Sequence, residues 1–211
     1  MAIASNCQLG LGCTSYQYPA CYDNVFAVAS LRKDDVRNDN SIPEVTCETS
    51  YYDKVDISAP GMRITSTGES NSYGYNFRCT SAAAPIVSGV AALLFAINPY
   101  FSPEQIGAIL KSTAYDIYQI PENQPYIGLL GSGRVDALGA VSCAIDVSTP
   151  LLLSGNLSGT YNKFFVNISN ANILNSVTIR TNSLTINGTF EAGLGTTLDI
   201  STDLQLGCPN Y

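Results

Sequence analysis

Between Ala82 and Ile97 the chain carries one polar side chain, Ser88, and no charge at all. Val87, Val90, Ala91, Leu94 and Ile97 recur at helical spacing, so the run predicts a helix that is apolar on nearly every face. Such a helix belongs in the middle of a core. Thr80 and Ser81, just before it, are N-cap residue types. Pro85 is read as part of the first turn, where N–H groups lack intrahelical partners. Ser81 then has two readings. It is a cap on a buried helix, or it is a nucleophile whose developing negative charge the positive end of the helix favours. On this stretch alone the cap is the simpler reading.

The neighbouring residues shift that balance. Thr80-Ser81-Ala82-Ala83-Ala84-Pro85-Ile86-Val87-Ser88-Gly89 resembles the Gly-Thr-Ser-x-Ala-x-Pro-x-Val-x-Gly signature around the active serine of subtilisin-like serine peptidases. Further segments resemble that family in the right order, over about residues 1–141. Ala2-Ile3-Ala4-Ser5-Asn6 reads as a short buried strand and is similar to the family strand ending Ala-Ala-Gly-Asn. Tyr18-Pro19-Ala20 followed by Asn24–Ala29 is similar to a second family segment, whose apolar run reads as a buried strand of an α/β sheet. Val55–Gly61 matches Val-Asp-Ile-x-Ala-Pro-Gly, and Gly131–Ala137 matches the family's closing Gly-x-Gly-x-Val-(Asn/Asp)-Ala.

The resemblance implies the C-terminal portion of a subtilisin-like α/β three-layer fold with a parallel sheet, over residues 1–147. It implies a serine-type endopeptidase that forms an acyl-enzyme on Ser81 and acts on peptide or protein substrates. Asn6 would donate to the oxyanion, where a fixed amide costs no reorganisation as charge appears. Ser5 and Gln17 would lie at the substrate, Gln17 near the floor of the pocket for the P1 side chain. Two positions depart from the pattern, since Ser5 and Cys79 each stand where the family has glycine. Asp56 falls at a structural position and is left out of the site.

A serine hydroxyl is a weak nucleophile until a base takes its proton. In the family that base is a histidine oriented by an aspartate. This chain has no histidine in 211 residues. The segments bearing both groups are expected upstream of Met1, and the opening Met-Ala-Ile-Ala reads as a strand already inside a domain. The chain is therefore expected to be a fragment that needs an N-terminal half and is inert without it. The alternative is a catalytically silent peptidase remnant carrying a β-rich binding or attachment module.

Around these motifs the sequence is plainer. Residues 31–54 read as a solvated surface loop, and residues 68–79 as a further loop. Ser102-Pro103-Glu104-Gln105 opens a helix with a cap, a proline at its first position and an acidic first turn. A last helix is expected to run from the Gly131 motif to about Val141. Residues 148–211 change character, with triplets such as Val177-Thr178-Ile179, Leu184-Thr185-Ile186, Leu198-Asp199-Ile200 and Leu204-Gln205-Leu206 between Gly/Asn turns. They predict a small all-β tail of short strands, a stacked ladder or a sandwich, acting as a spacer in preference to a binding module.

Seven cysteines are an odd number, so at least one lacks an intrachain partner. Disulfides among Cys7, Cys13, Cys21 and Cys47 and buried free thiols are both open readings. No Cys-x-x-Cys pair accompanies them, so no metal site and no cofactor are expected. A net charge of −7 argues against nucleic acid or an anionic membrane as partner. No signal-peptide pattern opens the chain, and the parent family is secreted or displayed at the cell surface.

Overall fold

The computed structural model describes residues 1–7, 13–39, 48–162, 165–181, 183–192, 196–201 and 208. Cys47 and the Leu204-Gln205-Leu206 triplet lie outside them. The chain divides into two compact units, residues 1–141 and 142–210.

The first unit is built on a parallel sheet of β1 (Ala2–Ile3), β3 (Ala27–Leu31) and β5 (Ile57–Pro60), in the order β1-β3-β5. β3 is central because every one of its residues is buried, as a strand covered on both faces requires. β2 (Asn6–Cys7) leaves this sheet and pairs antiparallel with β4 (Glu48–Thr49), Asn6 opposite Thr49. β6 (Ile64–Thr67) and β7 (Tyr73–Phe77) form an antiparallel pair. The stretch before the serine motif is thus half strand, contrary to the loop expected there. Segment 31–39 is no solvated loop either. Arg37 is buried, its guanidinium 2.7 Å from Glu48 and packed against the rings of Tyr51 and Tyr126. A charged residue reads as surface in a sequence because its partners, 11 or more positions away here, cannot be seen locally.

α1 (Thr80–Ile97) lies against β3 and β5. Ala83, Val87, Val90, Ala91 and Leu94 form its buried face. By length and composition this helix could also cross a membrane; in the structure that face is turned to the sheet. The opposite face is open, correcting the expectation of a helix enclosed on all sides, with Leu93 52% and Phe95 40% exposed. β1 likewise is no buried strand: Ile3 is 40% exposed, and the outer edge of β1 has no partner among the described residues. A free strand edge next to apolar surface invites association. Expressed by itself, the chain is expected to self-associate and to bind an apolar dye. A monomer by analytical ultracentrifugation with a sharp cooperative melt would contradict this.

α2 (Pro103–Ser112) begins as predicted. Ser102 accepts from the Gln105 N–H at 3.3 Å, Gln105 Oε1 accepts from the Ser102 N–H at 2.8 Å, and Pro103 opens the helix. α3 (Ala137–Ser148) starts after the Gly131 motif and runs beyond Val141. The motif itself is a loop laid along β5, with Val135 N–H donating to Ser58 and Ser58 N–H to Gly133.

The second unit is a parallel ladder. β9 (Phe165–Arg180) is its middle rung, β8 (Leu151–Asn162) pairs along it, and β10 (Ser183–Ala192) and β11 (Leu198–Ser201) pair with its two halves. Equivalent residues stack in rows: Leu151, Val166 and Leu184; Leu153, Ile168 and Ile186; Tyr161, Ile179 and Ile200. Val166, Ile168, Val177 and Ile179 on the middle rung are fully buried, because only a rung with neighbours on both edges covers its apolar row. Of the two all-β arrangements the tail residues allowed, this is the stacked ladder. Cys143 and Cys208 are disulfide-bonded within this unit.

Candidate active site

Helix α1 starts one residue before the serine, and its cap is not the one the residue types suggest. The N-cap is Cys79, with no side-chain cap hydrogen bond. Thr80 and Ser81 are already helical, so neither caps. Pro85 accordingly lies inside the helix, in its second turn, where its missing N–H leaves the Ser81 carbonyl without the usual i+4 donor. Sequence residue types mark a helix start to within a turn and not to the residue.

The first N–H of the helix finds its acceptor far away in sequence. Asn6 Oδ1 accepts from the Thr80 N–H at 3.1 Å and from the Thr80 hydroxyl at 2.8 Å. A backbone N–H can only donate, so the amide atom facing it is the oxygen, and the Asn6 NH₂ points away from Thr80. Asn6 caps α1 from outside while its donor end is turned elsewhere. Ser81 is solvent-exposed. Its N–H, an orphan of the first turn, meets no acceptor among the described residues, and no charged side chain there hydrogen-bonds its hydroxyl.

The segment before Ser81 is tightly fixed. Cys79 has φ 70° and ψ −166°, a region that glycine occupies freely and other residues almost never. Its N–H donates to Gly61 at 2.6 Å, and its carbonyl accepts from Ala82 and Ala83. Gly61 must be glycine here, since a Cβ on it would overlap Ser30 and the Cys79 carbonyl. Cys79 is disulfide-bonded. The departure from glycine at 79 therefore leaves the backbone in the glycine conformation. Ser5 behaves alike, with φ 82°.

Asn6 is held from its other side as well. Tyr52 is buried, and its hydroxyl donates to the Ala4 carbonyl at 2.9 Å. Burial, then the neighbouring Cys21, pushes its phenol far above the usual tyrosine range, so it remains a donor. Ser50 N–H donates to the Ser5 carbonyl at 3.0 Å, and Cys7 is disulfide-bonded to Cys13. Gln17 is half-buried, and its N–H donates to Cys21 Sγ at 3.2 Å; among the described residues Cys21 is the free thiol. Gln17 is thus tied into the loop preceding β3, and no hydrogen bond joins it to Ser81 or Asn6 among the described residues. Asp56 is structural, accepting from the Ala27 N–H at 2.8 Å and lying 3.5 Å from Lys111.

Thr80 is the site-shaping residue whose contact residue-by-residue reading missed. The signal for Thr80 was its place in the motif beside Ser81; nothing local marked its hydroxyl as a partner for Asn6. Cys7, Cys13 and Glu48 bring ligand-type atoms within 4.8 Å of one another. Because the two sulfurs are joined, no thiolate remains there to bind a metal.

The model of the subtilase family matches residues 10–147. Subtilisin-like protease 1 of Plasmodium falciparum is 35% identical over 142 residues, covering 67% of this chain and 19% of that protein. The halolysin-like extracellular serine protease Nep of Natrialba magadii is 34% identical over 128 residues, covering 61% and 21% respectively. Among solved structures, the prenylagaramide maturation protease PagA aligns with a TM-score of 0.53 at 23% identity, covering 66% of this chain and 48% of that one. That likeness shows a shared fold. The chain spans about a fifth of the length of these two curated relatives. With its serine motif, its closing glycine motif and the strands β3 and β5 of the parallel sheet inside the matched span, the chain belongs to the subtilase family.

Proposed function

We propose that this chain is the C-terminal part of the catalytic domain of a serine endopeptidase, and that Ser81 is its nucleophile. In this reading Ser81 attacks the peptide carbonyl, and the Asn6 amide with the Ser81 N–H holds the oxyanion. Both donors are fixed before charge develops, and α1 adds the positive end of its dipole. Ser5 and Gln17 border the bound substrate. The observation that carries this reading is the double hydrogen bond from Thr80 to Asn6 Oδ1 beside an exposed Ser81. With Oδ1 held by the helix, the NH₂ of Asn6 is the end of the amide left to meet an oxyanion.

The base must come from elsewhere, because the chain holds no imidazole. We read the open edge of β1 and the exposed side of α1 as the surface where a polypeptide bearing the aspartate and histidine completes the site. Residues 148–211 then form an appended ladder outside the peptide-bond chemistry. Secretion is supported by two observations: disulfides at Cys7–Cys13, Cys79 and Cys143–Cys208 suit an oxidising compartment, and one relative is named as extracellular.

Fluorophosphonate labelling tests this reading. The 211-residue chain alone is expected to remain unlabelled. Supplying the aspartate- and histidine-bearing segment, encoded upstream or added as a second chain, is expected to bring labelling, which Ser81→Ala abolishes. Labelling that survives Ser81→Ala would refute the assignment, and labelling of the isolated chain would refute its inertness.

A further inference from the structure

We infer that residues 49–52 are a template that forces Ser5 into its positive-φ conformation, and that Tyr52, through its hydroxyl, is a positioning residue for Asn6. The template grips three successive residues. The Tyr52 hydroxyl donates to the Ala4 carbonyl at 2.9 Å. The Ser50 N–H donates to the Ser5 carbonyl at 3.0 Å, and Thr49 pairs with Asn6. Thr49, Ser50 and Tyr52 are all buried, Tyr52 to 3% exposure. Between the first two contacts sits Ser5, at φ 82°.

The Ala4 carbonyl belongs to the peptide group joining Ala4 to Ser5, and the Ser5 carbonyl to the one joining Ser5 to Asn6. Rotation about the N–Cα bond of Ser5 toward negative φ has to turn one of these groups away from its donor. A side-chain-bearing residue stays at positive φ only where its surroundings over-determine it, and residues 50 and 52 do so here. The bend redirects the chain. Up to Ala4, whose N–H donates to Val28, it runs along β3; from Asn6 it runs along β4. On that course Asn6 Oδ1 reaches the Thr80 N–H and hydroxyl. Relaxation of Ser5 turns Asn6 aside and withdraws Oδ1 from Thr80. Tyr52 is suited to the task, since its ring packs edge-on against Tyr16 at 5.8 Å and burial keeps its phenol protonated. The inference deepens the reading of Asn6 as the oxyanion donor and rests on it for its functional meaning.

Tyr52→Phe removes the hydroxyl and keeps the ring. Amide hydrogen exchange at Thr80, in the full 211-residue chain, reads whether Asn6 is still in place. The Ile106 amide, which donates to Ser102 at the start of α2, is the reference for overall stability. Tyr52→Phe is expected to speed exchange at Thr80 about tenfold relative to Ile106, the ratio that loss of one buried hydrogen bond gives. Adding Ser5→Gly is expected to recover most of that protection, because glycine occupies positive φ about as readily as negative. In the catalytically complete protein, Tyr52→Phe is expected to lower kcat by a similar factor with KM held. Combined with Asn6→Leu it should lower kcat no further, since it acts through that amide.

Equal acceleration at Thr80 and Ile106 would show Tyr52 to be a core residue only and would overturn the inference. So would unchanged exchange at Thr80, or a double variant with Ser5→Gly that exchanges as fast as Tyr52→Phe, since strain at Ser5 would then play no part. Should Tyr52→Phe not fold, the double variant is expected to fold and to protect Thr80, and its failure to do so overturns the inference as well. The exchange readout needs no peptidase activity. Exchange as expected without fluorophosphonate labelling of the completed protein sinks the peptidase reading and spares the template. Normal labelling with exchange that ignores Tyr52 sinks the template only.

Discussion

Asn6→Leu, introduced into the catalytically complete protein, is expected to lower turnover by roughly a hundred- to thousandfold, a magnitude taken from a subtilisin oxyanion-hole amide and carried over to this chain. Leucine keeps the heavy-atom branching of asparagine but can neither donate to an oxyanion nor accept from Thr80. The effect should fall on kcat with KM little changed, because the charge that the amide meets exists only in the transition state. A second consequence separates this from simple unfolding. The Thr80 N–H and hydroxyl lose their acceptor, which costs about 1–3 kcal/mol of stability where such groups stay desolvated. Steady-state kinetics and thermal melts on the same preparation check both parts. A variant whose KM rises while kcat holds would show Asn6 to be a ground-state contact and would remove it from the reacting pair.

Gly131→Ala is expected to be among the most damaging single methyl additions in the chain, at about 3–5 kcal/mol, or to prevent folding. Gly131 has φ 77°, and a Cβ there would overlap the Asp56–Ile57 peptide where β5 begins. The neighbouring contacts leave no room for retreat. The Ser132 N–H donates to Asp56 at 3.0 Å, and the Tyr118 hydroxyl to the Gly131 carbonyl at 2.6 Å. Gly128→Ala is the control. It shares the positive φ, at 79°, but a Cβ there meets nothing within 4 Å, so it should cost only the backbone strain. Urea titrations of the two variants compare them, and equal losses would show that the close approach at 131 contributes nothing.

Gly131 also shows what a sequence can and cannot carry. The Gly-x-Gly-x-Val-Asp-Ala pattern marked the position through family resemblance, but its reason, the peptide of β5 pressed against the loop, lies 75 residues earlier in the chain. Ser102 is the opposite case. Its capping box with Gln105 closes within three residues, so the start of α2 was legible directly. Ser81 and Asn6 were marked as candidates only by a pair of family motifs. That Asn6 would meet the residue before Ser81 across 74 positions followed from no local pattern. The expectation that Thr80 or Ser81 caps α1 failed for the same reason, since the acceptor came from another strand.

By itself the sequence determined the elements whose causes are local: the helical period of α1, the cap of α2, the alternating triplets of the tail, and the lack of any imidazole to serve as base. Only the tertiary structure decided which face of α1 is covered, that Arg37 is buried against two rings, and that Cys79 keeps a glycine-like backbone. The division is physical. Helix periodicity, caps and turns arise from groups a few residues apart, which any window of sequence contains. Burial, long-range hydrogen bonds and enforced backbone angles arise from whatever the remainder of the chain packs against them, and no window contains that.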